Sequence, residues 1–92
     1  MVAYPIRVPR KQYLGAKPSL RRKTAEHNEL AKILEKHIND CVAERDDEIQ
    51  VYIYGFIAAD LGLRVDDVRA VLYGVDAGHN GLTIVKRPMT EF

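Results

Sequence analysis

Cysteine and long apolar runs are scarce in this sequence, and acidic residues are missing from its first 23 positions. Cys41 is the one cysteine in 92 residues, so an intrachain disulfide is excluded, and with it a small secreted scaffold stapled by disulfides. The longest apolar stretches, such as residues 51–59, are much shorter than the ~20 residues that a membrane span needs. These absences predict a cytoplasmic protein with no membrane partner.

Charge is divided unevenly along the chain. Residues 1–23 contain seven basic residues and no acidic one, whereas residues 24–67 contain eleven acidic residues and four basic ones. A basic segment of this kind is attracted to polyanions such as nucleic acid, largely without regard to sequence. It is also typical of a solubilising, partly disordered tail. The sequence predicts a basic, partly extended arm over residues 1–23 on an acidic body, and it leaves both roles of the arm open.

The first clear element is an amphipathic helix over about residues 24–44. Its apolar residues fall on one half of the surface at 100° per residue, and charged residues occupy most of the other half. Thr24 and Ser19 compete as its N-cap, because either hydroxyl can accept a hydrogen bond from a first-turn amide. Residues 49–53 then alternate in character, which predicts a short strand that leads into a second helix.

A second and a third helix, over about residues 53–61 and 65–73, are predicted to meet at Gly62. Glycine can adopt a positive φ at the end of a helix without a steric penalty. Leu63 fills the corner between the two helices, and the third helix then presents aliphatic residues at three- and four-residue steps. The core predicted from these patterns consists of Leu34, Ile38, Ile57, Leu61, Val68, Val71 and Ile84.

Residues 75–86 are predicted to form a β-hairpin. Asn80-Gly81 is a pair preferred at two-residue hairpin turns, because both positions of such a turn need a positive φ. Gly78 makes a longer loop an alternative.

The order of a helix, a short strand, two tightly joined helices and a hairpin resembles the winged helix-turn-helix proteins. Within it, Ala58, Gly62 and the aliphatic residues of the third helix resemble the helix-turn-helix motif. The resemblance implies a mainly α fold with a small β-hairpin, in which three helices precede the hairpin, called the wing. It places this domain at residues 24–87, between the arm and a short tail at 88–92.

In winged helix-turn-helix proteins, the outward face of the second motif helix enters the major groove of DNA and the wing lies along the backbone or the minor groove. The resemblance therefore implies a small DNA-binding protein, a regulator of transcription. Double-stranded DNA is the expected partner, and a second copy of the chain, giving a homodimer, is a further candidate. The implied DNA-binding residues lie on the third helix, on or near the wing and in the arm: Arg64, Arg69, Tyr73, His79, Asn80, Lys86, Arg87, Arg21, Arg22 and Lys23.

Asp66 and Asp67 argue against this interpretation, because they place negative charge on the helix that should approach phosphate. They repel DNA unless they stabilise the helix start or accept a hydrogen bond from a cytosine amino group. The alternative is a winged-helix module that docks on another protein. It would use the acidic body and the apolar surface of Tyr52, Tyr54 or Phe56.

Neither a catalytic activity nor a cofactor or metal is expected. His37 and Cys41 are four residues apart on the first predicted helix, but a stable metal site needs more ligands and no nearby residue completes one. His27 and His79 are not accompanied by a nucleophile or a carboxylate motif that would indicate acid–base chemistry.

Overall fold

The computed structural model describes residues 1–76 and 80–86, which form three helices and a small three-stranded sheet. The elements follow in the order β1 (Val2–Ala3), α1 (Pro18–Glu44), β2 (Ile49–Ile53), α2 (Tyr54–Leu61), α3 (Val65–Leu72) and β3 (Gly81–Val85). The fold is therefore mixed α/β, and its element order is compatible with a winged-helix layout. The two short helices lie within one residue of their predicted bounds. The predicted tail at 88–92 lies outside the described residues.

Helix α1 begins earlier than the sequence pattern predicts. Lys17 is its N-cap and makes no side-chain capping bond, while Pro18 occupies the first turn. Proline suits this position because its fixed φ is already helical and its missing N–H would have had no helical acceptor. Ser19 and Thr24 both lie inside the helix, so the prediction that one of them is the N-cap is wrong.

One face of α1 packs against α3 and forms the centre of the core. Its buried residues Ala31, Leu34, Ile38 and Val42 recur at three- and four-residue steps, as predicted for an amphipathic helix. Six of the seven predicted core residues are buried; Leu61 is half-buried and packs against the core from outside. Among the residues that the structure describes, no helix is long and apolar enough to cross a membrane.

The first eight residues are part of the folded core. β1 pairs in parallel with β3, with Val2 opposite Ile84. The chain then continues without regular secondary structure, and the side chains of Ile6 and Val8 are only 2% and 3% exposed. Of the arm predicted to be extended, Val2–Ala3 forms a strand, and Ile6 and Val8 are buried against the rest of the domain.

The last strand pairs differently from the predicted hairpin. β3 lies between β1 and β2, and it runs antiparallel to β2 with Gly81 opposite Ile53. In the described part of the chain, Gly62 is the one residue with a positive φ, so the predicted two-residue turn at Asn80-Gly81 is wrong.

The physical reason lies in the contact between β3 and β2. A Cβ added to Gly81 would overlap the carbonyl oxygen of Tyr52, so the glycine permits the close approach of two backbones and does not make a turn. Residues 77–79, on which the other strand of the predicted hairpin depends, lie outside the described residues.

Strand β2 is turned the opposite way from most edge strands, because its polar residue Gln50 faces the core. Its side chain is 1% exposed, although it is the polar member of an alternating strand. Its Nε2 is shared among the carbonyl oxygens of Val42 at 3.3 Å, Arg45 at 3.3 Å and Asp47 at 3.0 Å. The hydroxyl of Tyr52 donates to its Oε1. The amide is satisfied in the interior by binding the carbonyl end of α1, so the aliphatic residues of β2 face outward.

Candidate nucleic-acid interface

The corner between α2 and α3 is built around Gly62, as predicted. Gly62 has φ 66° and ψ 34°, in the left-handed region that disfavours residues with a Cβ. Its N–H is directed at the carbonyl oxygens of Ala58 and Ala59, and the N–H of Leu63 donates to the Ala58 oxygen at 2.8 Å. These bonds end α2 and start the turn into α3. The two helices are held as the tight pair on which the helix-turn-helix resemblance depends.

Helix α3 buries one face and leaves the other accessible. Val68, Val71 and Leu72 are buried in the core. Tyr73, which follows the helix directly, is 56% exposed. The side chains on the outer side are exposed or half-buried: Arg64, Asp66, Asp67, Arg69, Ala70 and Tyr73. The surface that the resemblance associates with DNA is therefore open to a partner.

Arg69 is engaged with an acidic neighbour on the same helix. Its Nη1 lies 2.9 Å from Oδ1 of Asp66, and the two side chains are 42% and 73% exposed. An exposed pair of this kind contributes less than about 1 kcal/mol to stability, so a ligand can displace it. The guanidinium partly neutralises one of the two carboxylates that would repel phosphate.

Basic side chains from two segments converge near His27 on α1. The pKa of His27 is lowered, first by partial burial and then by the positive charge of Lys11, with a smaller contribution from Arg10; a backbone hydrogen bond with Pro9 acts in the opposite direction. Lys23 lies one helical turn before His27. Arg10, Lys11 and Lys23 thus lie around His27, and together with Arg21 and Arg22 from the same part of α1 they are here called the basic cluster.

Side-chain amides of α1 hold the N-terminal segment against the helix. Asn28 accepts a hydrogen bond from the N–H of Lys11 and donates one to its carbonyl oxygen, both at 2.8 Å. Asn39 makes the same pair of bonds with Ile6, at 2.8 and 3.0 Å. Each asparagine therefore binds both polar backbone groups of one residue, as a neighbouring β-strand would. The pair at Asn28 fixes the position of Lys11 within the basic cluster.

Glu35 completes this attachment between the two asparagines. Its Oε1 accepts from the N–H of Val8 at 2.8 Å, and its Oε2 lies 3.5 Å from Nη2 of Arg10. Sequence reasoning assigned this side of the helix to solvent, because polar residues at helical spacing are usually exposed. No local signal marks a backbone partner 27 residues earlier in the chain. Arg10 and Lys11 belong to the predicted basic arm, but their attachment to α1 was not predicted, for the same reason.

A cleft of about 280 Å³ lies between α1 and α3. Its walls are formed by Lys23, Glu26, His27 and Leu30 of α1 and by Asp67, Ala70 and Val71 of α3. Lys23 belongs to the basic cluster and Ala70 to the exposed face of α3, so the cleft brings these two surfaces side by side. Asp67 lines the same cleft as Lys23, which places a positive charge near the second carboxylate of α3.

The residues expected on the wing differ in their surroundings. Lys86 is half-buried, and its Nζ donates to the carbonyl oxygens of Ala43, at 3.2 Å, and Arg45. It therefore binds the end of α1. Asn80 is exposed, and its carbonyl oxygen accepts from the N–H of Tyr54 at 2.8 Å. His79 and Arg87 lie outside the described residues.

The three aromatic residues suggested for protein docking differ in how exposed they are. Tyr54 is fully buried, and burial raises the pKa of its hydroxyl; the nearby carboxylate of Asp76 raises it further. Tyr52 is half-buried, with Arg45 positioned over its ring at 6.0 Å. Phe56 is 70% exposed. Of the three, only Phe56 offers a largely open surface, and Tyr54 as a docking residue is wrong because it belongs to the core.

A cysteine, a histidine and an aspartate lie together where α1 meets α2. Sγ of Cys41 and Oδ2 of Asp60 each lie 3.8 Å from Nε2 of His37. A nucleophile relay needs its two partners on different ring nitrogens, so this geometry does not form one. Burial raises the pKa of Cys41, and the carboxylate of Glu44 raises it further, which favours the unreactive thiol. Within residues 1–76 and 80–86, no group of three candidate ligands could hold a metal ion.

Comparisons with protein-family models, curated proteins and solved structures gave no match. The winged helix-turn-helix resemblance therefore remains a prediction from the sequence.

Proposed function

We propose that this chain is a small DNA-binding protein that regulates transcription by occupying sites on double-stranded DNA. In this proposal α3 lies in the major groove and the basic cluster contacts the adjacent phosphates. The observation that carries the proposal is the cleft between α1 and α3, where Lys23 lies beside the exposed face of the helix that follows Gly62. A groove-reading helix and a phosphate-binding surface must be contiguous to engage one duplex, and the position of Lys23 across the cleft from Ala70 supports this arrangement, although Glu26 and Asp67 also line the cleft.

The placement of the basic residues on α1 supports this role. Arg21, Arg22 and Lys23 are exposed and lie in the first two turns of the helix. Positive charge at this end opposes the helix dipole, so these residues slightly destabilise the free helix. A phosphate group removes the conflict, because it accepts hydrogen bonds from arginine and is attracted to the positive helix end.

The exposed face of α3 supplies candidates for base recognition. Arg69 carries a planar guanidinium on this face, which can donate two parallel hydrogen bonds to guanine. Arg64 is exposed at the N-cap position, where we expect it to contact a phosphate. Tyr73 provides an exposed ring at the other end of the helix. In this arrangement Arg64 positions α3 on the DNA backbone and Arg69 recognises a base.

The proposal is tested by selecting duplexes from a random-sequence pool with the intact protein at about 0.15 M salt. We expect an enriched sequence and a dissociation constant well below that for unrelated duplexes, by a factor on the order of 10³ or more. A variant with Arg64→Gln and Arg69→Gln should lose this preference while it keeps salt-dependent binding. A pool that yields no preferred sequence, together with binding that vanishes near this salt concentration, would refute the proposal.

A second candidate function is docking on another protein. It is favoured by Phe56, which is 70% exposed, and by the aliphatic side of β2, where Val51 is 59% exposed. Apolar surface left open on a small domain often marks a protein contact. The same DNA selection separates the two functions, because a docking module gives no enriched sequence. Its affinity for a protein partner should also be the same in the variant with Arg64→Gln and Arg69→Gln.

A further inference from the structure

Strand β2 is an edge strand that carries its apolar side chains outward. The sheet order is β1-β3-β2, so in the described part of the chain β2 has a neighbour on one side only. Ile49, Val51 and Ile53 are 47%, 59% and 44% exposed, while Gln50 between them is buried. A short strand normally places its aliphatic residues toward the core. Here the requirement for Gln50 at the end of α1 holds the aliphatic residues in solvent.

The backbone groups on the open side of β2 belong to the same three residues. The N–H of Lys86 donates to the carbonyl oxygen of Glu48 at 2.7 Å, and the N–H of Tyr54 donates to the Asn80 oxygen at 2.8 Å. These bonds show which residues of β2 are hydrogen-bonded to β3 in the antiparallel ladder: the backbone N–H and C=O groups of the even-numbered residues point toward β3. The N–H and C=O groups of residues 49, 51 and 53 therefore point away from β3. Within the described residues, the N–H groups of all three and the C=O groups of Ile49 and Val51 have no hydrogen-bond partner, whereas the C=O of Ile53, the N-cap of α2, accepts the first bond of that helix.

In its own sequence and in its pairing with β3, strand β2 lacks the features that usually prevent strands from pairing. Exposed edges in monomeric proteins are protected by lysine, proline, bulges or a covering loop. Residues 49–53 contain no charge, no proline and no glycine, and they pair with β3 in an unbroken register. The strand is thus suited to accept another strand of similar chemistry.

We propose that β2 pairs with β2 of a second copy of this chain, in antiparallel orientation, around a two-fold axis at Val51. The strand is self-complementary, because Ile49 of one protomer then lies opposite Ile53 of the other and Val51 lies opposite its own copy. The open backbone groups of residues 49, 51 and 53 then gain partners in both protomers, and the carbonyl of Ile53 accepts a second hydrogen bond, from Ile49 of the other protomer. The two three-stranded sheets join into one six-stranded sheet, and the inference is independent of DNA binding.

The charges beside β2 select this arrangement. Asp46, Asp47 and Glu48 directly precede the strand. In a parallel pair the two acidic groups would lie side by side and repel one another. In the antiparallel pair the acidic residues of the two protomers lie at opposite ends of the ladder, and the two Asp47 residues are roughly 26 Å apart at about 3.3 Å per residue. This separation exceeds the Debye length of about 8 Å at physiological salt.

The oligomeric state of the protein tests the proposal. Sedimentation equilibrium should show a fraction of dimer that rises with protein concentration. If the Kd is near 0.1 mM, the dimer should be the main species at about 0.5 mM. Val51→Lys should be monomeric over the same range, because two ammonium groups would face each other across the axis. Leu14→Lys is the matched control, since Leu14 is 93% exposed and lies far from β2 in sequence, and it should dimerise like the unmodified protein. A monomeric unmodified protein, or an unchanged Val51→Lys dimer, would overturn the proposal.

Cross-linking tests the geometry without relying on a disruptive variant. In a Cys41→Ser background, Val51→Cys should form a dimer-linking disulfide when treated with oxidised glutathione, because a hydrogen-bonded antiparallel pair places its Cα atoms about 5.5 Å apart. Ile49→Cys should not, because the two copies of position 49 would be roughly 13 Å apart along the strands. Cross-linking of both variants to the same extent, or of neither, would overturn the antiparallel pairing.

Discussion

The two ends of α1 differ in whether side chains of the fold bind their free backbone groups. At the carboxyl end, side chains distant in sequence bind the helix: the amide of Gln50 reaches the Val42 oxygen, and the amine of Lys86 reaches that of Ala43. At the amino end, Lys17 provides no side-chain cap, and the basic residues that follow it project into solvent. One end is satisfied within the fold and the other is left to the surroundings.

The difference indicates a division between stability and binding. Helix carbonyls enclosed by the fold are costly to leave unpaired, so Gln50 must remain for the domain to be stable. The exposed amino end faces water, which can satisfy its amides, so Arg21 and Arg22 can serve a partner. Substitutions at the carboxyl end should therefore change unfolding, and substitutions at the amino end should change affinity.

The largest effect on stability is expected from Gln50→Ala. It removes the donor to the carbonyl end of α1 and leaves the hydroxyl of Tyr52 without its acceptor. We expect a loss of about 1–3 kcal/mol in the free energy of unfolding, measured with urea. Gln12→Ala is the matched control, because Gln12 is exposed, and it should leave the midpoint almost unchanged. Equal midpoints for the two variants would show that the buried amide does not stabilise this end of the helix.

A smaller loss is expected from Lys86→Met, which keeps the apolar stem and removes the amine. The amine binds the Ala43 and Arg45 carbonyl oxygens, so we expect unfolding to become easier by up to about 1 kcal/mol. Affinity for DNA should change little, since this amine faces α1. Lys36→Met serves as the control for removal of an exposed lysine. An unchanged stability with a weakened DNA complex would restore Lys86 to a direct role on the wing.

A gain in affinity is expected from Asp66→Asn on α3. The substitution removes one of two carboxylates that face the proposed groove, so binding should strengthen for every duplex by a few-fold. Asp47→Asn is a closely matched control: both aspartates are exposed and each is paired with an arginine, Asp66 with Arg69 at 2.9 Å and Asp47 with Arg45 at 3.1 Å. Equal affinities for the two variants would mean that α3 does not face DNA.

The smallest effect concerns pH. In the free protein the pKa of His27 is lowered by burial and by Lys11, so near pH 7 its ring is mostly neutral. A phosphate near the cleft would favour the charged ring, and affinity should rise as the pH falls through the region just below 6.5. His27→Gln should remove this rise and keep the affinity measured at about pH 8, where the ring is neutral. A pH profile identical in the two proteins would exclude His27 from the interface.

The short helices could be predicted because their signals are local. Gly62 marks the end of one helix, and the steps between Val68, Val71 and Leu72 mark the buried face of the next. The same local reasoning failed at Gly81, since a glycine after asparagine suits a turn as well as a close approach of two strands. Only the position of Tyr52 across the sheet decides between them.

The site could be predicted in part, from charge alone. Arg21, Arg22 and Lys23 stand out in the sequence because no acidic residue precedes them. Lys11 is part of the predicted basic arm, but its fixed position on α1 could not be predicted, because it depends on a backbone contact with Asn28 on a helix surface that looks solvated. Long-range contacts between a side chain and a distant backbone leave no periodic pattern in the sequence.

The central claim, that the open end of α1 binds the DNA backbone, is tested most directly by titrating a selected duplex at several salt concentrations. Arg21→Gln with Arg22→Gln should flatten the plot of log K against log salt by about 0.9 for each phosphate that is no longer bound, without a loss of stability. The matched control is Lys32→Gln with Lys36→Gln, which removes the same charge from exposed positions further along α1 and should shift the slope much less. Equal slopes for the two double variants would contradict the account.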